Sequence, residues 1–197
     1  MKQEFFNGVY LKGQLTHLEW SYTDNDGIMH YSAILKIENS PNLTNYIPIY
    51  LTETLIKSID KNKKNTFVSI TGNIKIKKIR RKQLLYVSAV HLEPLEHEEY
   101  ENLILLKGFI SKSTSAIDPK SKVCLANYYI TINQEQNYHI PVVAFKNVAT
   151  RISNLTEGTK ITLKGKLINK KALKSFDISS ANNNSAVKIN TLSFSIE

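Results

Sequence analysis

Two crowded runs of cations could do chemistry in this chain. One is Lys75, Lys77, Lys78, Arg80, Arg81 and Lys82; the other is Lys164, Lys166, Lys170, Lys171 and Lys174. Lys75 and Lys77 alternate with Ile74, Ile76 and Ile79, so a strand there turns its lysines away from an apolar face. Cations held out in this way attract a polyanion. The plainer alternative is a solvated hairpin whose lysines protect a sheet edge. Planar rings are the second ingredient. Tyr46, Tyr50, Tyr86, Tyr129, Tyr138 and Phe145 fall in strand-like stretches, and Trp20 and Tyr22 precede the turn residues Asp24-Asn25-Asp26-Gly27. Rings in strands either fill a core or offer a flat surface to another planar group. Tyr129 lies on the face opposite Ala126 and Tyr128, whereas Phe145 fits either role, and Trp20 and Tyr22 suit base contact or hairpin packing equally.

Cations that track phosphates, together with rings that receive unpaired bases, make up the chemistry of single-strand binding. Catalytic patterns are missing from the sequence. His17, His30, His91, His97 and His139 are scattered and have no cysteine neighbours at zinc spacing. No phosphate-cradling glycine loop, nucleophile elbow or H-E-x-x-H run occurs. The expectation is therefore a binding protein and not an enzyme, with no cofactor and no metal.

The chain says nearly the same thing twice. Tyr46-Ile47-Pro48-Ile49 recurs as His139-Ile140-Pro141-Val142, and Phe67 to Ile74 recurs as Lys160 to Leu167, both at an offset of about 93 residues. Leu11-Lys12-Gly13 and Leu106-Lys107-Gly108 form a third pair. Repeats of this length are whole domains, and each half of the 197 residues is long enough to bury its own core. The formal net charge is +9, unevenly spread. Residues 1–100 hold 13 Lys/Arg against 11 Asp/Glu, and residues 101–197 hold 13 against 6.

Period-2 patterns dominate the elements that must position these groups. Ala33, Leu35 and Ile37 share one face; so do Cys124, Ala126, Tyr128, Ile130 and Ile132, and so do Ile161, Leu163, Gly165 and Leu167. Short helical stripes appear over Thr54 to Ile59 and Asn147 to Leu155. Each copy reads strand, strand, strand, short helix, strand, strand. An SH3-like barrel also has five short strands, but a helix between the third and fourth favours the OB-fold. The expected fold is all-β: two tandem OB-fold barrels, 1–95 and 101–197, separated by a short acidic linker at 93–101. Ser179 to Ser185 is expected to be the last hairpin loop, and the alternating end from Thr191 a strand. The lone Cys124 reads as a small buried residue and fits a reducing cytosol. No secretory signal is expected from Met1 to Phe6, and no run approaches a membrane span.

The second half carries a family likeness. NLILLKG at Asn102 to Gly108, LANYYI at Leu125 to Ile130, IPVVAF at Ile140 to Phe145 and ITLKGKL at Ile161 to Leu167 occur in an order that resembles bacterial and phage single-stranded DNA-binding proteins of the OB type and the related primosomal replication proteins. The likeness covers roughly Asn102 to Leu173 and is weaker in the first half. It implies base stacking by the ring before the Ile-Pro pair, a place held by Tyr46 and His139. It also implies an aromatic closing the third strand, matched by Phe145 and replaced by Thr52 in the first copy. The stacking ring usual after the fourth-strand glycine has no counterpart near Ala172, and no acidic partner-recruiting tail is present.

The resemblance and the residues together imply a non-sequence-specific single-stranded DNA-binding protein acting in cytoplasmic DNA replication, recombination or mobile-element maintenance. Two such chains would imitate a tetramer of one-domain proteins. The alternative is an OB-type adaptor whose main partner is a helicase, primase or polymerase. The nucleic-acid-binding residues expected are the two cation runs with Tyr46, Tyr129, His139 and Phe145.

Overall fold

The computed structural model describes residues 7–40, 43–59, 66–79, 82–117, 123–132, 139–169 and 187–197. Those residues form ten strands and two short helices. The first copy holds β1 (Asn7–Thr23), β2 (Met29–Ser40), β3 (Leu43–Thr52), α1 (Glu53–Ile56), β4 (Phe67–Ile79) and β5 (Lys82–Pro94). The second holds β6 (Glu101–Ile117), β7 (Cys124–Thr131), β8 (His139–Phe145), α2 (Lys146–Ser153), β9 (Lys160–Asn169) and β10 (Val187–Ile196). The described residues divide into two compact units, one holding 8–102 together with 168–169 and 187, the other holding 7, 103–167 and 188–197.

Each copy closes into a five-stranded ring. In the first, the long β1 pairs with β4 through Val9 to Gln14 and with β2 through Gln14 to Thr23, all antiparallel. β2 pairs with β3, β3 runs parallel to β5, and β5 returns antiparallel to β4. The second repeats the circuit. β6 pairs with β9 through Ile104 to Phe109 and with β7 through Phe109 to Ile117, β7 pairs with β8, and β8 runs parallel to β10. β10 then neighbours β9. This is the OB-fold barrel, with a helix between the third and fourth strands of each copy. The first strand serves two partners because it bends. Its register on β2 shifts between Thr16 and Glu19, where His17 takes a positive φ of 50°.

Alternation fills the barrels as the sequence implies. Leu11, Leu35, Ile37, Ile47, Ile49, Leu51, Ile70 and Val87 are fully buried in the first, and Ile104, Leu106, Ile130, Ile161, Leu163, Leu167 and Ile189 in the second. Each such side chain contributes about 1.5–3 kcal/mol when removed from water. Tyr128 joins the second core, and its hydroxyl bonds to that of Thr191. Burial raises this phenol well above its usual range, and the Thr191 bond lowers it only in part. The helices are shorter than their stripes: α1 is one turn with Ile56 buried, and α2 buries Ala149 and Ile152.

Two expectations need correction. Cys124 is half-buried, opposite Ile117 at the end of the β6–β7 pair, because the ladder has left the core by that point. The acidic linker is shorter than expected and tied down. Glu93 and Pro94 belong to β5 and Glu101 opens β6. Between them the Leu95 amide donates to the Phe67 carbonyl at 2.8 Å, and Lys12 meets Glu99 at 2.6 Å. The Tyr100 ring sits edge-on to Phe67 at 5.7 Å, and burial first, with Glu98 second, pushes its hydroxyl up to about 12. The loop expected at Ser179 to Ser185 lies outside the described residues.

The repeated glycines mark close strand approaches. A Cβ on Gly72 would strike the Ser88 carbonyl oxygen, and one on Gly165 would lie 2.7 Å from the Asn190 carbonyl oxygen. Both obstacles are backbone and cannot swing aside. Gly72→Ala and Gly165→Ala are each expected to destabilise their own barrel by about 1–3 kcal/mol. Urea unfolding at fixed slope measures this, and unchanged midpoints would show that the barrels widen freely.

Candidate nucleic-acid interface

Alternation that buries one side of β2, β3 and β5 must expose the other. In the first barrel, Ala33, Leu35, Ile47, Ile49 and Val87 point inward. The outer face therefore receives His30, Ser32, Ile34 and Lys36 from β2, Tyr46, Pro48 and Tyr50 from β3, and Leu84, Tyr86 and Ser88 from β5. The register aligns them: Ser32 opposes Tyr50, Lys36 opposes Tyr46, and Tyr50 lies beside Ser88. Ile34 and Leu84 are buried on this face, with Tyr46, Tyr50 and Tyr86 packed against them. Aliphatic side chains thus seat the rings from beneath.

The rings continue toward the β1–β2 turn. His30 stacks on Tyr22 at 4.7 Å and 25°, and on Tyr50 at 5.3 Å and 13°. Tyr22 and Tyr50 are 5.9 Å apart, and Tyr50 meets Tyr86 edge-on at 5.9 Å. Tyr22, His30 and Tyr50 in mutual contact, with Tyr86 against Tyr50, form one platform. Asp24 anchors its upper end. One carboxylate oxygen accepts from the amides of Asp26 and Ile28 at 3.0 and 2.9 Å, and the other holds His30 Nε2 at 2.7 Å. The turn and the platform are therefore joined into one unit. These bonds, that to His30 first and that from Ile28 second, hold the Asp24 carboxyl below its usual value of 3.8. Burial first, with the Tyr22 phenol second, raises the Tyr50 hydroxyl far above the usual phenol range.

Cations border the platform on β4. Lys75 stands directly opposite Tyr86 and Lys77 opposite Leu84. Both are exposed, and among the described residues no carboxylate is paired with either. Lys36, by contrast, is paired with Glu38 at 2.6 Å. The backbones of Lys78 and Lys82 continue the β4–β5 ladder, opposite Gln83 and Ile79. The side chains of Lys78 and Lys82, and all of Arg80 and Arg81, lie outside the described residues.

The matching face of the second barrel is built differently. Tyr129 is 37 % exposed and meets His139 edge-on at 6.4 Å. His139 Nδ1 is held by the hydroxyls of Thr131 at 3.0 Å and Ser111 at 3.2 Å. Phe145 closes β8, 38 % exposed and opposite Leu125. Lys188 Nζ donates to Asn127 Oδ1 at 3.4 Å. Lys164 and Lys166 are exposed on β9, which borders β6 and β10 and not the β7–β8 pair carrying the rings. Lys170, Lys171, Lys174 and Tyr138 lie outside the described residues. Among the described residues, no group of His, Cys, Asp or Glu is placed to hold a metal ion, and no helix is long and apolar enough to cross a membrane.

No protein-family model and no curated protein matches this chain. Solved structures do. The wild-type single-stranded DNA-binding protein from Thermus aquaticus superposes with a TM-score of 0.79 at 16 % identity, over 98 % of this chain and 94 % of that one. A deletion variant of the same protein gives 0.79 at 17 % identity, over 98 % and 95 %. This chain has the fold of that single-stranded DNA-binding protein. The N-terminal domain of PriB protein from Thermoanaerobacter tencongensis is 26 % identical over 46 % of this chain and 98 % of its own, with a TM-score of 0.40.

On this OB frame the structure unites Tyr46, Lys75 and Lys77 on one face of the first barrel, and Tyr129 with His139 on one face of the second. It also adds residues. In the sequence Tyr50, Tyr86 and Tyr22 stand out as rings only, and His30 is one of five scattered histidines. Its parity is legible there all the same: it lies an odd number of positions from Ala33, Leu35 and Ile37, and so shares their strand but not their face. Nothing in the sequence marks Asp24 beyond its turn.

The Asp24 shift has a pH consequence. A carboxyl held below its ordinary value stabilises the fold above that value, and the contribution is lost as pH falls through and below it. Asp24→Asn is therefore expected to lower the melting temperature at pH 7, with the gap to the unsubstituted protein closing below pH 3.8. Thermal unfolding across pH 2.5–7, a window set by the ordinary carboxylate range of about 4, reads this. A gap independent of pH would remove the charge from the explanation.

Proposed function

We propose that this chain is a non-enzymatic protein that binds single-stranded DNA through two tandem OB domains, 1–95 and 101–197, in DNA replication, recombination or mobile-element maintenance in the cytoplasm. One observation carries the reading: the outer face of β2, β3 and β5 presents a seated row of rings, with lysines on the adjoining strand that have no carboxylate partner among the described residues. Bases that are not paired can stack on such rings at about 1–3 kcal/mol each, whatever their identity. A duplex keeps its bases stacked inside and offers only phosphates. The Thermus aquaticus likeness supports the reading through its fold, and the OB-fold commonly uses this face for oligonucleotides. Two domains on one strand make the second contact intramolecular, which multiplies affinity.

A second reading has one observation of its own. Trp20 is 62 % exposed on the first hairpin, away from the ring cluster, and an exposed tryptophan suits a protein contact. In that reading the chain is an adaptor for a helicase, primase or polymerase, and self-association into a dimer would extend it.

Titration of labelled oligo-dT and a matching duplex at two salt concentrations separates the two. Single-strand preference with affinity falling steeply in salt is expected; feeble binding of both supports the adaptor. Lys75→Ala with Lys77→Ala should flatten the log–log salt slope by about 0.7 for each phosphate that is no longer neutralised. Tyr86→Ala should weaken binding by about 1–3 kcal/mol and leave that slope unchanged. Loss of slope in the tyrosine variant would break the division between stacking and charge.

A further inference from the structure

We propose that a bulge in β1 re-aims Tyr22 onto the ring face of the first barrel, and that the exposed side of this ring receives one unpaired nucleobase, with His30 and Asp24 as positioning residues behind it. The inference rests on the single-strand reading and deepens it by naming which ring of the first hairpin meets the strand.

Strand register carries the argument. Trp20 stands opposite Tyr31, and the next pair along the ladder is Tyr22 with His30. Regular antiparallel pairing would set Ser21 against His30 and Tyr22 against Met29. Ser21 is therefore an extra residue in β1. Directly opposed residues share a face of the sheet, and successive residues alternate between faces. Without the extra residue, Tyr22 would point to the side of Met29 and Tyr31. With it, Tyr22 joins His30, while Trp20 stays on the other side with Tyr31. Bulges beside functional sites commonly turn one side chain in this way.

The ring so placed is fixed but not covered. It stacks on His30 at 4.7 Å and 25°, its hydroxyl is hydrogen-bonded with that of Tyr50, and His30 is in turn held by Asp24 at 2.7 Å. Yet Tyr22 is 41 % exposed, whereas the His30 side chain is 13 % exposed. Packing of the hairpin alone gives no reason to anchor a ring by its face and its hydroxyl and then leave it in water. The cluster cannot take a base between its members. Two rings admit a third only when about 7 Å apart, twice a contact distance of about 3.5 Å. His30 is 5.3 Å from Tyr50, and Tyr22 is 5.9 Å from Tyr50. A base therefore meets the cluster from outside, and Tyr22 is its most exposed ring. A ring already held in place stacks at lower entropic cost.

Oligo-dT carrying one 5-iododeoxyuridine, moved along the strand, tests the contact in the unsubstituted full chain, because irradiated iodouracil cross-links to an aromatic side chain it lies against. Peptide mapping is expected to find Tyr22 among the cross-linked residues. A map without Tyr22, or with Trp20 in its place, would overturn the proposal. In anisotropy titrations, Tyr22→Ala should weaken oligo-dT binding roughly five- to a hundredfold, the worth of one stacked base. Tyr22→Phe keeps the ring and should stay within about threefold of the unsubstituted protein. Unchanged binding by Tyr22→Ala, or equal losses in the two variants, would remove stacking from the explanation. His30→Ala should weaken binding on its own but add less than about twofold to Tyr22→Ala, and Asp24→Ala should behave as His30→Ala does. Losses that add in full would overturn the positioning role. If oligo-dT binds no better than a duplex, the single-strand reading itself fails, whichever residues cross-link.

Discussion

A short parallel ladder decides what this molecule can present. Ile49 beside Val87 and Tyr50 beside Ser88 join β3 to β5 and so complete the first ring of strands. Without that junction, β3 would be an open edge and its outer side chains would have neighbours on one side only. With it, β2, β3 and β5 become one continuous surface, and every residue out of phase with the core is delivered to it. The ring cluster is in this sense a by-product of closure. Ile34 and Leu84 face outward by parity yet are buried, because Tyr46, Tyr50 and Tyr86 lie over them. The platform therefore carries a small apolar core of its own, which holds the rings in place before any ligand arrives. Pre-ordered rings bind at lower entropic cost than rings that must be ordered on contact.

The same closure in the second barrel yields a different surface. Ile189 beside Val142 matches Val87 beside Ile49, and this correspondence carries through the neighbouring strands. Where the first barrel has Tyr50 and Tyr86, the second has Val143 and Lys188. Where the first has His30 and Thr52, the second has Leu125 and Phe145. The duplication has thus kept the core and altered the face. Stacking area is concentrated in the first barrel, while the second couples a few rings to a hydroxyl-held imidazole and an added cation. The uneven charge of the two halves follows the same direction.

The fold was legible because period-2 alternation, the repeat and the turn residues all agreed on it. Ala126, Tyr128 and Ile130 go inward as their spacing implies, and Lys75 and Lys77 go outward. Helix lengths and the acidic segment were less legible. The acidic segment depends on tertiary contacts, the Lys12–Glu99 pair and the Phe67–Tyr100 rings, which join residues far apart in the chain. The candidate site was legible in its types but not in its grouping. That Lys75 faces Tyr86 is a statement of strand register, and the bond between Asp24 and His30 depends on how the first turn curls. Single-strand alternation says which side a residue takes; only pairing says what stands next to it.

Charge shows the difference between composition and arrangement most sharply. Several lysines are spent on the fold itself. Lys12 is matched by Glu99 and Lys36 by Glu38, while Lys107 and Lys160 converge on Glu197 at 2.8 and 3.5 Å. Lys107 first and the Thr162 hydroxyl second draw the Glu197 carboxyl down to about 2. Such pairs join neighbouring segments and cancel at a distance, so they add little to the field beyond the surface. Lys75, Lys77, Lys164 and Lys166 have no such partner among the described residues. All four lie on the fourth strand of their barrel, alternating with apolar residues that anchor it. The net charge of the chain therefore understates how directional its field is. These four lysines are held clear of the core by strand parity, and in the first barrel they run alongside the rings.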